Sequence, residues 1–485
     1  MKILFACYFP LPHVGGLNHY VETLKHELEK RGHTVDILAH RQGMETIYKN
    51  SNELHLFGRT FAGSEIDKSV NNEKENSTIK DEIDYQIGHY ISSNYSHIEP
   101  EIGWREIERY TFELAASLLD LEGYDLIHTH DILSTRALSR VKPKHTPLIA
   151  TIHGILATEY INSGEITSKE SYRWIYAVRE EYYGHMSADA TIVPTFWQLE
   201  QLSTIYGVSK EKLHVIPYAI EVAPFLKKYS YEPYPPLKQE EMGINRQIII
   251  CPARLVPEKN HKTLIEALAL VKQQRDDFIC WMVGEGNLKS QLEIQAERAG
   301  MQEQILFFGT RWDVPALLRK SDIVVLSSIQ DMHPFTLMEA QIAGKPCIAS
   351  NVGGIPEMVK DEYTGLIFES ENSADLAQKL IRLLDDAVLR QTLGTNAEAY
   401  ARQKYSSDTL YTKTMEIYDK TMDTKQKELN VSNSADSETN AEIFSFDIYD
   451  TKLKPEQWIE ILDKLPEGYS MPDILLDGFE PDTEK

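Results

Sequence analysis

The chain has 485 residues and a formal net charge of −24, with 42% hydrophobic and 26% charged side chains. This length suits two domains plus an extension, and the composition is that of a globular protein. The charge argues against nucleic acid, whose recognition rests on a basic surface, and against broad adhesion to anionic lipid, although a local patch could still dock on a membrane.

The N-terminal run MKILFACYFPLP predicts a first strand, because it is too short and lacks the small-residue cleavage site of a signal peptide. No stretch approaches the roughly 18 apolar residues of a membrane span. We expect a cytoplasmic protein, with peripheral contact at the inner face of the membrane left open. The four cysteines lie in apolar runs without a CxxC pair and predict buried, reduced thiols: Cys7, Cys251, Cys280 and Cys347.

Strands and helices alternate in the first half of the chain. The apolar run 2–7 is typical of a strand buried on both faces, and apolar residues at helical spacing follow it before the next strand at 34–39. This strand–helix–strand unit predicts a parallel sheet. The polar residues 63–84 predict an exposed, mobile insertion. Further strands are predicted at 125–130, 147–152, 189–194 and 213–217.

A Pro-rich and charged segment at 229–243 indicates a linker, after which a second series of strands and helices begins. The predicted fold class is α/β, with two doubly wound, Rossmann-like domains that face each other across a cleft. We predict domains at 1–222 and 223–422, with the last helix crossing back to the first domain. The strands of the second series are predicted at 247–253, 277–284, 304–309, 322–328, 345–350 and 364–370.

Residues 423–485 form a predicted acidic tail, with 16 acidic and 6 basic side chains. Residues 423–441 are expected to be disordered. Residues 455–465 place Trp458, Ile459 and Leu462 at helical spacing and predict a short amphipathic helix. That helix could dock on the body or on a partner protein. The body is favoured, because exposed apolar faces are usually covered.

Three segments of the second half combine glycines, cations and carboxylates where a strand ends and a helix begins: 251–260, 283–288 and 331–359. Helix N-termini present unpaired N–H groups and a positive dipole end, so they suit anions. Several such junctions indicate a diphosphate ligand. Arg254 offers a planar fork and Lys259 a point charge, and both suit a diphosphate.

The segment DMHPFTLMEAQIAGKP predicts a helix that starts at Pro334, with the amides of Phe335 and Thr336 in its first turn. Glu339 lies one turn further along. A carboxylate so close to a phosphate would be repelled by it unless the carboxylate binds another group of the ligand. Paired sugar hydroxyls fit this role, because a carboxylate accepts two hydrogen bonds. Asp331, in the preceding loop, could reach a different part of the same ligand.

These residues resemble the family 4 retaining glycosyltransferases, which have the GT-B fold. Its R-x-x-x-x-K pattern is met by Arg254 and Lys259, and its G-x-G loop by Gly284 and Gly286. Its E-x₇-E motif reads D-x₇-E here (331–339), followed by AGKP (343–346) and a glycine pair (353–354). The first half matches at Gly15-Gly16, RGH (31–33), HTH (128–130) and TIHG (151–154). The resemblance covers roughly residues 1–420.

The resemblance implies a role for each matched residue. Arg254 and Lys259 would hold the donor diphosphate, Glu339 its ribose hydroxyls, and Asp331 the donor sugar. Asp331, Glu339 and His153 form the expected catalytic set. The remaining donor-binding residues are Gly284, Gly286, Arg311 near the base, Phe335 and Thr336, and the acceptor-binding residues are Gly15, Gly16, His130 and His153. No metal or other cofactor is expected.

The predicted function is retaining transfer of a sugar from a nucleotide-sugar donor to a glycan, lipid-linked or small-molecule acceptor. The alternatives are a non-catalytic GT-B scaffold that uses its acidic tail for assembly, and a nucleotide-sugar epimerase. Two departures from the family pattern motivate the scaffold. Asp331 replaces Glu and precedes Met332 and His333, and Tyr218-Ala219 stand where a proline–asparagine–glycine turn is common. An acid one methylene shorter reaches roughly 1.5 Å less, and a misplacement of about 1 Å can cost about 100-fold in rate.

The spacing of His128 and His130 also suits metal ligands, because alternate residues of a strand share a face. No third ligand cluster is evident, so histidines that line the core or the cleft are favoured.

Overall fold

The computed structural model describes residues 1–11, 15–40, 47–49, 52–53, 79–239, 241–242, 245–432, 459, 461–466 and 469. Its strands are β1 (Lys2–Cys7), β2 (Thr34–His40), β3 (Ile47–Lys49), β4 (Asn52–Glu53), β5 (Leu126–Thr129), β6 (Leu148–Thr151), β7 (Ala190–Val193), β8 (Leu213–Val215), β9 (Gln247–Pro252), β10 (Phe278–Val283), β11 (Ile305–Gly309), β12 (Ile323–Leu326), β13 (Cys347–Ser350) and β14 (Gly365–Phe368).

Helices join most of these strands. They are α1 (Gly16–Lys30), α2 (Ile79–Asn94), α3 (Pro100–Ser117), α4 (Ile132–Val141), α5 (Leu156–Asn162), α6 (Tyr172–Met186), α7 (Phe196–Ile205), α8 (Val222–Tyr229), α9 (His261–Lys272), α10 (Lys289–Arg298), α11 (Val314–Lys320), α12 (Phe335–Ile342), α13 (Ile355–Met358), α14 (Ser373–Asp385), α15 (Ala387–Lys404) and α16 (Ser407–Ser432).

The strands form two sheets, one in each half of the chain. In the described residues the first sheet has the order β4-β3-β2-β1-β5-β6-β7-β8, and the second has the order β11-β10-β9-β12-β13-β14. All neighbouring strands pair in parallel except β2 with β3 and β3 with β4, which are antiparallel. The α/β, doubly wound fold class is therefore confirmed, and the predicted strands lie within a few residues of the observed ones.

Each sheet has a point where the strand order reverses. In the first sheet β1 lies between β2 and β5, and in the second β9 lies between β10 and β12. In open parallel sheets, ligands bind beyond the carboxyl ends of the strands at such a point. We therefore expect the segments that follow β1, β5, β9 and β12 to carry the ligand-binding site.

The last long helix, α16, packs against α1 of the N-terminal half. The Tyr418 hydroxyl lies 2.6 Å from His128 Nδ1, and Lys425 Nζ lies 2.9 Å from Asp189 Oδ1. Residues 423–432 continue this helix, in part because Lys425 is held by Asp189, so the expectation of disorder from residue 423 is wrong for these ten residues. The predicted domain boundaries stay predictions.

A short tail segment also packs on the N-terminal half. Residues 459 and 461–462 are helical, and Ile461 is fully buried in a cluster with α2 and α3. Leu462, Leu465 and Tyr469 pack against the same cluster. Trp458 and the other tail residues beyond 432, apart from 459, 461–466 and 469, lie outside the described residues.

Part of the predicted insertion at 63–84 belongs to a packed helix. Residues 63–78 lie outside the described residues, whereas 79–84 begin α2 and include the buried Ile83. The four cysteines are buried and free, as predicted. Within the described ranges, no helix is both long and apolar enough to cross a membrane.

Candidate functional site

The reversal points of the two sheets face each other. Gly16, at the start of α1, has no side chain, and a Cβ there would lie 3.1 Å from Phe335 Cδ2 at the start of α12. The rings of His19 and Phe335 lie 5.4 Å apart. The starts of α1 and α12 are thus in contact across the cleft, and the predicted Gly15-Gly16 turn lies opposite the predicted donor helix.

The two predicted diphosphate ligands follow β9. Lys259 Nζ lies 2.5 Å from Asp331 Oδ2, and Arg254 Nη2 lies 3.0 Å from Glu258 Oε1. Arg254 is two-thirds exposed, whereas Lys259 and Asp331 are largely buried. Because Asp331 comes from the loop after β12, the structure brings Lys259 and Asp331 together at the reversal point of the second sheet, and Arg254 lies in the same segment after β9 as Lys259.

The G-x-G loop packs directly on the backbone beside Arg254. A Cβ at Gly284 would overlap the carbonyl oxygen of Ala253, and one at Gly286 would overlap that of Leu255. Glycine is required here for close approach of two backbones. The structure therefore explains both glycines by packing, and their contact with a donor stays a prediction.

The glycine pair after β13 supports Asp331 in a similar way. The Gly354 amide donates to the Asp331 carbonyl at 3.0 Å. Gly353 has a φ of +56°, and a Cβ there would overlap the same carbonyl oxygen. The pair fixes the backbone of the loop that carries Asp331.

The helix α12 begins one residue later than predicted. Pro334 is its N-cap and Phe335 its first residue. The Thr336 hydroxyl donates to the Pro252 carbonyl at 2.7 Å, so it ties α12 to the end of β9. Glu339 lies one turn along, and burial raises its carboxyl pKa to about 7, although Lys228 acts in the opposite direction.

The raised pKa of Glu339 predicts a pH-dependent stability. The folded protein retains this proton between the ordinary pKa of 4.5 and about 7, so stability should fall as pH rises through that window. Glu339→Gln should reduce the loss of unfolding free energy between pH 5 and pH 8 by about 2 kcal/mol. Denaturant unfolding of the unliganded protein at pH 5 and pH 8 measures it. An equal pH dependence in wild type and variant would contradict the assignment.

Arg311 is held by Asp313 of its own loop and by Pro235 of the linker segment. Its guanidinium makes two 2.7 Å bonds to Asp313 and donates to the Pro235 carbonyl at 3.0 Å. The loop follows β11, which lies two strands away from β9. The structure does not bring Arg311 together with Lys259, and its place near the base stays a prediction.

Three histidines of the N-terminal half, His128, His130 and His153, lie at or just after the ends of β5 and β6. His153 Nδ1 lies 2.7 Å from the Tyr218 hydroxyl, and the rings of His130 and His153 stack at 5.8 Å. Burial lowers the pKa of His130 well below its usual range and that of His128 to about 3. Neither His130 ring nitrogen has a hydrogen-bond partner among the described residues. His128 and His130 are therefore neutral at physiological pH.

The two departures from the family pattern contact each other. The rings of Tyr218 and His333 meet edge-on at 5.1 Å, and Tyr218 stacks on Phe335 at 5.5 Å. Met332 is buried in a hydrophobic cluster of the N-terminal half that includes Ile155. The unusual residues thus fill one contact between the two halves, which gives them a packing reason unrelated to loss of chemistry.

Two carboxylates at this contact were not predicted from the sequence. Burial raises the pKa of Glu159 on α5 to about 7, the charges of Glu181 and Glu258 add to it, and Arg254 and Lys259 oppose it. Glu357 accepts hydrogen bonds from the first two amides of α7, Phe196 at 3.0 Å and Trp197 at 2.7 Å. Glu159 belongs to no predicted motif, and Glu357 lies inside the segment 331–359 but was given no role there.

Two glycosyltransferase family patterns match the chain, one in each half. The sequence pattern described as Glycosyltransferase Family 4 matches residues 14–223, and that of Glycosyl transferases group 1 matches residues 237–400. Together they span both reversal points. The chain belongs to glycosyltransferase family 4.

Curated relatives of this glycosyltransferase carry related names. It is 27% identical over 280 residues to the Escherichia coli UDP-Gal:alpha-D-GlcNAc-diphosphoundecaprenol alpha-1,3-galactosyltransferase, over 56% of this chain and 69% of that one. It is 26% identical over 408 residues to the D-inositol 3-phosphate glycosyltransferase of Corynebacterium glutamicum, over 80% and 88% of the two chains.

Solved structures share its fold. The sucrose-phosphate synthase of Thermosynechococcus elongatus matches with a TM-score of 0.63 and 19% identity, over 87% of this glycosyltransferase and 99% of that chain. Anabaena HepE in complex with UDP and glucose matches with a TM-score of 0.59 and 20% identity, over 87% and 100%. The GT-B arrangement predicted from the sequence is confirmed.

Proposed function

We propose that this glycosyltransferase moves a sugar from a nucleotide-sugar donor to a hydroxyl group of a glycan, lipid-linked or small-molecule acceptor, with retention of configuration. The observation that carries the proposal is the contact of Lys259 with Asp331 at the reversal point between β9 and β12, with Arg254 in the same segment after β9. The names of the relatives and the UDP complex of HepE support a nucleotide-sugar donor.

The diphosphate of the donor would exchange with the carboxylates that now hold the two cations. Arg254 would leave Glu258, and Lys259 would leave Asp331. Each charge-assisted hydrogen bond is worth roughly 1.5–3 kcal/mol. Since negative charge grows on the leaving diphosphate, the same cations stabilise the transition state more than the ground state.

Release of Asp331 from Lys259 would give its carboxylate to the donor sugar, and Glu339 would accept from the ribose hydroxyls. Gly15, Gly16, His130 and His153 would line the acceptor side. The neutral state of His130 suits hydrogen bonds to hydroxyls and adds no positive charge there. The leaving phosphate would take the acceptor proton, so the reaction needs no protein nucleophile and no metal ion.

No observation favours the scaffold or the epimerase over transfer. The departures that motivate the scaffold pack against one another at the contact between the halves. An epimerase would convert the donor sugar without an acceptor, which the same assay detects.

The test is an incubation with common nucleotide sugars and a panel of neutral glycosides, with and without EDTA. We expect nucleotide release in EDTA and a product whose anomeric configuration, read by NMR, equals that of the donor. An inverted product would contradict retention, loss of release in EDTA would contradict metal independence, and an epimerised sugar without acceptor would support the epimerase.

A further inference from the structure

A pocket of about 300 Å³ lies between α3, α5 and α6, outside the donor site described above. Its volume is at the lower end of small-molecule sites, which run from about 300 to 1,000 Å³. The residues that matter for its chemistry are Trp104, Arg105, Glu108, Tyr160, Arg173 and Glu180.

The pocket adjoins the cleft through α5. Tyr160 of its wall follows Glu159, whose carboxyl feels the charges of Arg254 and Lys259. His153 lies in the short loop between β6 and α5. Gly154 of the same loop has no side chain, and this leaves room for the Glu159 carboxyl. A molecule in the pocket could therefore extend along α5 toward the proposed reaction centre.

The arginines of the pocket are already compensated. Arg105 Nε lies 2.9 Å from Glu180 Oε1, and a second Arg105 nitrogen lies 3.7 Å from Glu108. Arg173 Nη2 lies 3.1 Å from Glu165 Oε2. A phosphate or a carboxylate would meet three glutamates (Glu101, Glu108 and Glu180) and two arginines (Arg105 and Arg173), so the charge balance disfavours an anionic ligand.

The pocket nevertheless offers hydrogen bonds and flat apolar faces. Arg105 Nη2 is buried without a hydrogen-bond partner among the described residues, and Glu108 and Glu180 can accept more bonds. Tyr160 packs beneath two guanidinium groups, 6.0 Å from that of Arg105 and 5.6 Å from that of Arg173. Trp104 remains 64% exposed, an unusual position for an indole.

We propose that this pocket holds an uncharged sugar ring of the acceptor, with Trp104 against its apolar face and the Arg105–Glu108 pair on its hydroxyls. The proposal rests on the proposed transferase function and adds to it the chemical class of the acceptor. It assigns Trp104, Arg105 and Glu108 to acceptor binding, and it places the acceptor's anionic groups, if any, outside the pocket.

The test is saturation-transfer NMR on the full chain with the methyl glycosides of glucose, galactose, mannose and N-acetylglucosamine. We expect at least one glycoside to bind, Trp104→Ala and Glu108→Gln each to weaken binding about tenfold, and Tyr363→Ala, an exposed aromatic outside the pocket, to leave it unchanged. Trp104 is exposed, so its replacement should not unfold the protein.

Three results would overturn the proposal: no glycoside binds the wild type, both variants bind like the wild type, or inorganic pyrophosphate displaces the glycoside. A parallel titration with UDP separates the two levels of inference. UDP binding without glycoside binding would remove only the pocket assignment. Glycoside binding at Trp104 without any sugar transfer would remove the proposed function instead.

Discussion

Replacing Lys259 by alanine is expected to lower the turnover of sugar transfer by about 100- to 1,000-fold, the usual cost of removing one group that stabilises developing negative charge. The ammonium of Lys259 is held at the end of β9, 2.5 Å from Asp331. Its loss removes a cation from the leaving diphosphate and leaves Asp331 as an uncompensated carboxylate beside it. The measurement is steady-state nucleotide release with a saturating donor.

Lys262→Ala is the matched control. Lys262 is 72% exposed on α9 and its ammonium lies 4.0 Å from Glu266, so its removal should leave turnover within about twofold. If the Lys259 and Lys262 variants were equally active, the assignment of the diphosphate site would be wrong.

Replacing Arg109 by alanine is expected to destabilise the N-terminal half by about 3–5 kcal/mol, because it removes one partner of a buried ion network. The Arg109 side chain is 1% exposed and bonds Glu106 at 2.6 Å and Glu113 at 2.7 Å. Arg140 also bonds Glu113, at 2.8 Å, so that carboxylate keeps one cation. Guanidinium unfolding followed by circular dichroism measures the change.

The exposed pair of Arg382 with Glu362 provides the comparison. Both side chains are nearly half exposed, so Arg382→Ala should cost at most about 1 kcal/mol. A loss below about 1 kcal/mol for Arg109→Ala would show that neighbouring cations replace it. The ion network of Arg109 lies on α3, the helix that also carries Trp104 and Arg105. Arg109→Ala should therefore also weaken the binding of a ligand in the pocket beside α3.

The regular part of the fold follows from local pattern. Continuous apolar runs such as 2–7 and 247–252 are typical of strands buried on both faces, and the structure has strands there. The short antiparallel strands β3 and β4 were not predicted, because two or three residues are too few to show an alternation of apolar and polar side chains.

The donor side of the site was predicted for a similar reason. Arg254, Lys259 and Asp331 stand in the segments that follow β9 and β12, and strand order alone brings the ends of these two strands together. The contact between Tyr218 and His333 joins residues far apart in the chain, each of which looked like a defect by itself. The position of Glu159 depends on how the two halves meet, which no local pattern encodes.

The most direct test of the account is a calorimetric titration of UDP, GDP and ADP into the full chain in EDTA, repeated with Lys259→Ala and Lys262→Ala. We expect at least one nucleoside diphosphate to bind the wild type and the Lys262 variant alike, and to bind the Lys259 variant at least tenfold more weakly, the factor that corresponds to about 1.4 kcal/mol. Equal binding to all three proteins, or no binding to any of them, would contradict a diphosphate site at the reversal point of the second sheet.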